Sequence, residues 1–234
     1  MKSTIAIYGI QDRSDNGFPD FVHDHSVVLM NNGEVVKMAE LERITRNKHD
    51  NSLHKNIYSL LKSEKLINSD LYDVVFVDNI VGRAFISVDG KIRFEAPLTE
   101  NLTNSLEKGK CWWFDKEIDA YVLNHELAHV YSCVPFFGEF RENSLLVHFD
   151  GGASKSNFSA WTWKNKQLQN IEYHWDLKPY SSLYNSNALN FFILNVNRRE
   201  HNSLPGKYMG FSSYGKHDSK IEKWLIENNF FENI

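Results

Sequence analysis

The first half of the chain alternates strand-like and helix-like runs of apolar residues. Residues 5–10 form a continuous apolar stretch of strand length, followed by a polar loop carrying Gly17 and Pro19. Residues 26–30 and 34–39 are two short apolar runs joined by Asn31-Asn32-Gly33. An Asn-Gly step between apolar runs predicts a tight hairpin, because the turn needs left-handed backbone that these residues tolerate. After Asp50, apolar residues fall at Leu53, Ile57, Leu60, Leu61 and Leu66, the spacing of one helix face. Residues 73–78 then read as a strand buried on both faces, near the centre of a sheet.

Further along, residues 81–98 predict a strand pair turning at Asp89-Gly90, and residues 116–133 predict a helix stopped by Pro135. Residues 145–149 form a strand that ends at Asp150-Gly151-Gly152. Two strands over 158–163 and 171–175 and a helix over 183–196 complete the pattern. A hairpin sheet extended by helix–strand units, then begun again near residue 144, predicts an α/β protein of two related lobes, residues 1–143 and 144–234, the second incomplete.

Composition narrows the function classes. With 42% hydrophobic residues in 234, the chain can bury a substantial core. Its net charge of −4 argues against wholesale wrapping of nucleic acid or anionic membrane. No apolar run approaches a transmembrane span or a signal-peptide core, so a cytoplasmic setting without membrane or nucleic-acid partners is expected. Two cysteines, Cys111 and Cys133, expected in or near one helix, exclude a disulfide framework and a four-cysteine zinc site.

Three segments carry candidate chemistry. The first is 21–26, where His23 stands at a loop–strand junction and can act as a general base near neutral pH, or else packs the hairpin together with His25. The second is 39–50, where Arg43, Arg46 and Lys48 lie within six residues and could hold a phosphate or acyl-phosphate oxyanion, or else form a solvated face. The third is 124–129, Asn-His-Glu-Leu-Ala-His, in which His125 and His129 share one helix face at metal-binding spacing. Ten histidines in this chain give about 0.4 such pairs by chance, and about 0.05 once an acid must follow the first. That string also satisfies the H-E-x-x-H pattern of zinc peptidases, with Glu126 as general base. Asp150 could add a hard oxygen ligand, and Gly151 and Gly152 a backbone turn open to an anion or nucleotide.

Taken in order, these segments resemble the carbamoyltransferase family that decorates antibiotics and nodulation factors and is related to the tRNA threonylcarbamoyladenosine synthesis protein. The family's His-Asp-(Ser/Ala) step into a hairpin is matched at His23-Asp24-His25-Ser26. Its Ala-Glu-Glu-Glu-Arg-Phe-Thr-Arg-x-Lys-His-Asp signature is matched without a gap by residues 39–50. Its Asn-His-His-x-Ala-His helix aligns with 124–129, its Pro-Phe step with Pro135-Phe136, its Asp-Gly turn with Asp150-Gly151, and its Gly-Lys-x-Met-Gly-Leu-Ala-x-Tyr-Gly segment with 206–215. Only the 39–50 match is strong alone; the succession in family order over residues 5–215 is what makes the resemblance specific.

The resemblance implies an actin/hexokinase-like (ribonuclease H-like) fold, with a first lobe and an incomplete second lobe around a nucleotide and metal cleft. It implies transfer of a carbamoyl group from carbamoyl-adenylate, made from carbamoyl phosphate and ATP, to a hydroxyl of a small-molecule acceptor. Adenylate formation belongs to a separate C-terminal domain, expected from a longer parent or a partner. By the same resemblance His23 is the cleft base, Lys48 the cation on the carbamoyl or phosphate oxygens, and His125, His129 and Asp150 ligands of an iron or zinc ion; Arg43, Arg46, Gly151 and Gly152 fall to the nucleotide side. The sequence departs from the family at Glu126, which replaces the middle histidine, at Ala153-Ser154, which replace Gly-Glu, and at Phe211-Ser212, which replace Leu-Ala. A catalytically inactive binding or scaffold protein of the same family is the main alternative, and a metallopeptidase the next.

Overall fold

A computed structural model describes residues 3–10, 22–67, 72–175, 210 and 212–229. The chain divides into two compact units, Met1–Trp175 and Asp176–Ile234. The first holds a mixed sheet of eight strands and a separate sheet of three, an α/β arrangement with few helices.

The large sheet is built on three parallel strands, β1 (Ser3–Tyr8), β4 (Tyr72–Val77) and β8 (Lys116–Leu123). Beside β1 lie β2 (Ser26–Asn31) and β3 (Glu34–Glu40), paired antiparallel. Their hairpin turns at Asn32 and Gly33, both left-handed at φ 51° and 82°, as the Asn-Gly step predicts. Beyond β8 the sheet continues through β7 (Glu107–Trp113), β6 (Ile92–Glu95) and β5 (Ala84–Ile86), all antiparallel. Alternate residues of the parallel strands are buried in register: Ile5 lies opposite Val74 and Val74 opposite Ala120, then Ile7 opposite Phe76 and Phe76 opposite Val122. The short helix α1 (Leu41–Thr45) and then α2 (Leu53–Ser63) connect β3 to β4, and α2 adds Leu53, Ile57, Leu60 and Leu61 to the same core.

The predicted helix over 116–133 is a correction. Residues 116–123 form strand β8, and only His125–Tyr131 is helical (α3). Ile118, Ala120 and Val122 recur with period two, and Ala120 and Val122 insert between β4 and β7; that pairing outweighs the segment's helix-compatible composition. Asn124 marks the change, its side-chain oxygen accepting the Leu127 N–H at 2.9 Å as an N-cap. Cys111 therefore sits buried in β7, not in a helix, and burial pushes its thiol up to about 12.

After α4 (Val134–Phe137), the three-stranded sheet comprises β9 (Leu145–Phe149), β10 (Phe158–Lys164) and β11 (Gln167–His174), the last starting earlier than its apolar residues suggest. In the second unit α5 (Ser219–Glu227) is capped by Asp218, whose carboxylate accepts the Lys220 and Ile221 N–H groups. The helix expected over 183–196 and most of the 205–215 motif lie outside the described residues. No described helix is long and apolar enough to cross a membrane.

Gly109 exists for close packing. A Cβ there would meet the Phe94 ring at 2.4 Å and the Glu95 carbonyl at 2.8 Å. Phe94 is pinned in turn, stacked on Phe76 at 4.3 Å. Gly109→Ala should destabilise the first unit by about 1–3 kcal/mol, read as a shift in the urea midpoint; an unshifted midpoint would show that β6 and β7 can part without cost.

Candidate active site

The parallel strands β1, β4 and β8 end at one edge of the sheet, where an α/β protein usually places its ligand. Tyr8 closes β1, Asp78 follows β4, and α3 begins directly after β8. Asp78 ties these ends together. It is almost fully buried; its Oδ1 accepts the His125 backbone N–H at 3.0 Å and the Ser154 hydroxyl, and its Oδ2 accepts Arg83 Nε–H at 2.7 Å. Arg83 is held further by the Pro97 carbonyl, Thr99 and the Glu107 carboxylate. Burial pushes the Asp78 carboxyl up to about 6, against the restraining effect of Ser154 and Arg83.

His125 and His129 project from α3 with their Nε2 atoms 3.0 Å apart, and Asp150 Oδ2 lies 3.7 Å and 3.3 Å from them. Two nitrogens each about 2.0–2.1 Å from a tetrahedral zinc stand about 3.3 Å apart, and a carboxylate oxygen stands at a similar distance from each. The donor set therefore fits one divalent ion. Its protonation fits as well. Burial, aided by His129, lowers the His125 imidazole to about 4, leaving it neutral. Burial pushes Asp150 upward, but the His129 hydrogen bond and the Gly151 N–H outweigh it and hold the carboxyl down to about 2.

Glu126 is not part of this group. It is 0% exposed and turned to the loop behind Asp150, accepting the Lys155 N–H at 2.7 Å, the Ser156 hydroxyl at 3.0 Å and the Ser154 N–H at 3.3 Å. A carboxylate spent on three donors is poorly placed to activate a water, which weighs against the peptidase reading. Together Asp78 and Glu126 moor the 154–156 loop to both sides of the α3 start.

A second cluster forms where residues 23–26 meet the 40–50 segment. Asp24 bridges His23 Nδ1 at 2.7 Å and His49 Nδ1 at 3.3 Å, and the two rings meet edge to face at 5.5 Å. His25 locks the segments together. Its carbonyl accepts the Leu41 N–H, its N–H donates to the Asp50 carbonyl, and its Nδ1 accepts the Leu53 N–H at 3.4 Å. The hairpin thus returns the chain as expected and brings His23 to the residue after Lys48. Lys48 and Arg46 are exposed on that turn, while Arg43 is engaged by Glu40 and Glu42 of its own segment. Gly151 and Gly152 follow Asp150 at the end of β9, and a Cβ on Gly151 would meet nothing within 4 Å. The Gly151 N–H already donates to Asp150 Oδ1 at 2.6 Å, and a Cβ on Gly152 would make only ordinary contacts.

Tyr8 connects the clusters, its ring edge-to-face with His25 at 5.9 Å and with His125 at 5.4 Å. Burial, then the charges of Asp150 and Asp24, raise its hydroxyl well above the ordinary tyrosine range. Among the described residues His25 Nε2, His49 Nε2, His125 Nδ1 and His148 Nε2 are buried without a hydrogen-bond partner. Native interiors rarely leave so many polar atoms unpaired unless a water or ligand serves them. Sequence reading missed Tyr8, Asp78, Arg83, Asp24, His49 and His148. Asp24 and His49 stood inside the motifs already singled out; the others carried no local signal. Comparison with known proteins gives no matching family model and no matching curated protein.

The buried imidazoles set a pH dependence. Burial lowers His25 to about 4 from an ordinary 6.5, and His125 equally. Below about 6.5 the unfolded chain takes up protons that the native chain refuses, so stability present at neutral pH is lost as pH falls towards 4. Asp78, whose carboxyl is raised, acts oppositely below about 6, but one carboxyl does not offset two imidazoles. Urea unfolding of the metal-free chain should therefore show a falling midpoint from about pH 7 to about pH 5, with a shallower fall in His25→Gln. A flat profile would contradict the burial of these rings. Glu126→Gln should cost about 1–3 kcal/mol, because an amide cannot accept from all three donors; a variant as stable as the native chain would show that the loop is anchored elsewhere.

Proposed function

We propose that this chain carries the transfer site of an O-carbamoyltransferase, a metal-assisted enzyme that moves a carbamoyl group from carbamoyl-adenylate to a hydroxyl of a small molecule. The observation that supports it most is the presence of two histidine clusters, His23–Asp24–His49 and His125–His129–Asp150, with the Tyr8 ring against His25, beside the first, and against His125 of the second. The order along the sequence of the segments that resemble the family supports the same reading. So does the architecture: a hairpin sheet extended by parallel strands, followed by a fresh sheet at β9, is what a two-lobed actin/hexokinase-like fold asks of this chain.

On this reading Asp24 accepts the His23 Nδ1–H, which fixes the tautomer and leaves Nε2 bare for the acceptor. His23 is 39% exposed, so an acceptor can reach it. The acceptor oxygen gives its proton to His23 and forms a bond to the carbamoyl carbon, while the bond from that carbon to the adenylate oxygen breaks and AMP leaves with the electron pair. Lys48, with Arg46 on the same exposed turn, supplies positive charge to the carbamoyl or phosphate oxygens. His125, His129 and Asp150 would hold a divalent ion, iron or zinc, whose chemistry when bound is Lewis-acid neutralisation of anionic oxygens.

The chain, loaded with Fe²⁺ or Zn²⁺ and given preformed carbamoyl-adenylate with a panel of polyhydroxylated acceptors, should yield a carbamoylated product detectable by mass spectrometry. His23→Ala and Lys48→Ala should each slow formation at least ~10²-fold, the usual contribution of a positioned acid–base group. Undiminished transfer in either variant would remove that residue from the catalytic assignment, and transfer indifferent to both would overturn the mechanism.

A further inference from the structure

The cluster formed by residues 23–24 and His49 has the donor set of a metal site in its own right. One backbone hydrogen bond assembles it. The His25 N–H donates to the Asp50 carbonyl at 3.3 Å, which sets the residues just before them, Asp24 and His49, side by side. Both take left-handed backbone, φ 57° and 58°, a region sparsely populated outside glycine and held here by the surrounding contacts. The His49 N–H is fixed in turn by the Glu42 carboxylate at 3.0 Å. Asp24 then meets an imidazole on each oxygen, His23 Nδ1 at 2.7 Å from Oδ2 and His49 Nδ1 at 3.3 Å from Oδ1. Burial pushes its carboxyl up, but the His23 and His49 hydrogen bonds outweigh that and hold it below the ordinary carboxylate range.

Two imidazole nitrogens and a carboxylate oxygen, all within 4.8 Å of one another, can close on one divalent ion and leave a fourth position to water. Such a mixed set suits Zn²⁺ and similar ions; Mg²⁺ and Ca²⁺ prefer oxygen ligands throughout. Solvent reaches the cluster, the side chains of His23, Asp24 and His49 being 39%, 52% and 23% exposed. Coordination also has a consequence for the ring. A neutral imidazole ligates through its bare nitrogen, so an ion on His23 Nδ1 puts the ring proton on Nε2. Nε2 then donates, and cannot take a proton from an acceptor hydroxyl.

We infer that His23, Asp24 and His49 form a second divalent-cation site, for Zn²⁺ or an ion like it, whose filling moves the His23 ring proton from Nδ1 to Nε2 and switches off carbamoyl transfer. The site stands on its own geometry, whereas the switch rests on reading His23 as the general base. The exposed cations Arg46 and Lys48 on the adjoining turn oppose a further positive charge, so this site fills after the one on α3. Titrating the metal-free chain with Zn²⁺ against a chromophoric chelator should show two ions per chain. His49→Asn, which suits left-handed backbone, and Asp24→Asn should each bind one ion fewer. Equal stoichiometry in native chain and both variants would overturn the site; one ion in the native chain and none in the variants would uphold it and overturn the α3 centre instead. In the assay with preformed carbamoyl-adenylate, the second equivalent of Zn²⁺ should slow the native chain about 10²-fold or more, the contribution of the base it disables, and His49→Asn far less. Transfer undiminished by the second ion would overturn the switch. A native chain that transfers at no Zn²⁺ level would remove the transferase reading, while the ion count still decides the site.

Discussion

The candidate site depends on one buried carboxylate. Asp78 sits where β4 ends, and its two oxygens reach the first N–H of α3, the Ser154 hydroxyl and Arg83. Arg83 is a near neighbour in sequence, but the α3 start and Ser154 lie 47 and 76 residues further along the chain, and nothing in the local sequence would bring them to Asp78. Removing a charged group from water costs several kcal/mol, recovered only when a paired charge and further hydrogen bonds meet it. Arg83 supplies the charge and is itself spread over Pro97, Thr99 and Glu107, so the pairing is fixed in direction as well as distance. The start of α3, and with it the angle at which His125 and His129 leave the sheet, follows from that arrangement. Glu126 secures the other flank by taking three donors of the 154–156 loop, which keeps Asp150 facing the histidines.

The fold was legible wherever local periodicity and tertiary burial agree. The β2–β3 hairpin was readable because Asn32-Gly33 can take left-handed backbone, and α2 because Leu53, Ile57, Leu60 and Leu61 all meet the core. Residues 116–123 were misread because a run with Lys, Glu and Ala suits a helix in isolation; its position between β4 and β7, fixed by long-range pairing, makes it a strand. β7 was missed for a related reason: its exposed lysines and Gly109 dilute an alternation that only Cys111 and Trp113 carry.

The site divides the same way. His125, His129, His23 and Asp150 stood out because metal and acid–base chemistry leaves short-range spacing in the chain. Glu126 stood out for the wrong reason. Its position fits a peptidase string, yet on a single helical turn it faces away from the two histidines and serves the loop behind them. His148 gave no signal at all, since a lone histidine in a strand is most often a packed side chain; only the fold places it beside His129. Tyr8 is similar, an aromatic at a strand end whose position between Asp24 and Asp150 emerges only when the parallel strands align. What sequence cannot state is which polar groups share a desolvated space, and in this protein that sharing keeps His25 and His125 neutral and Asp150 ionised.

The reading proposed above turns on whether His125 and His129 of α3 and Asp150 after β9 hold one divalent metal ion. Anomalous diffraction from crystals of the chain soaked in Zn²⁺ or Fe²⁺, recorded across the metal edge, tests it most directly. A peak bonded to His125 Nε2, His129 Nε2 and the Asp150 carboxylate is expected. A peak confined to the His23–Asp24–His49 cluster, or an empty map at α3 in a loaded crystal, would contradict it.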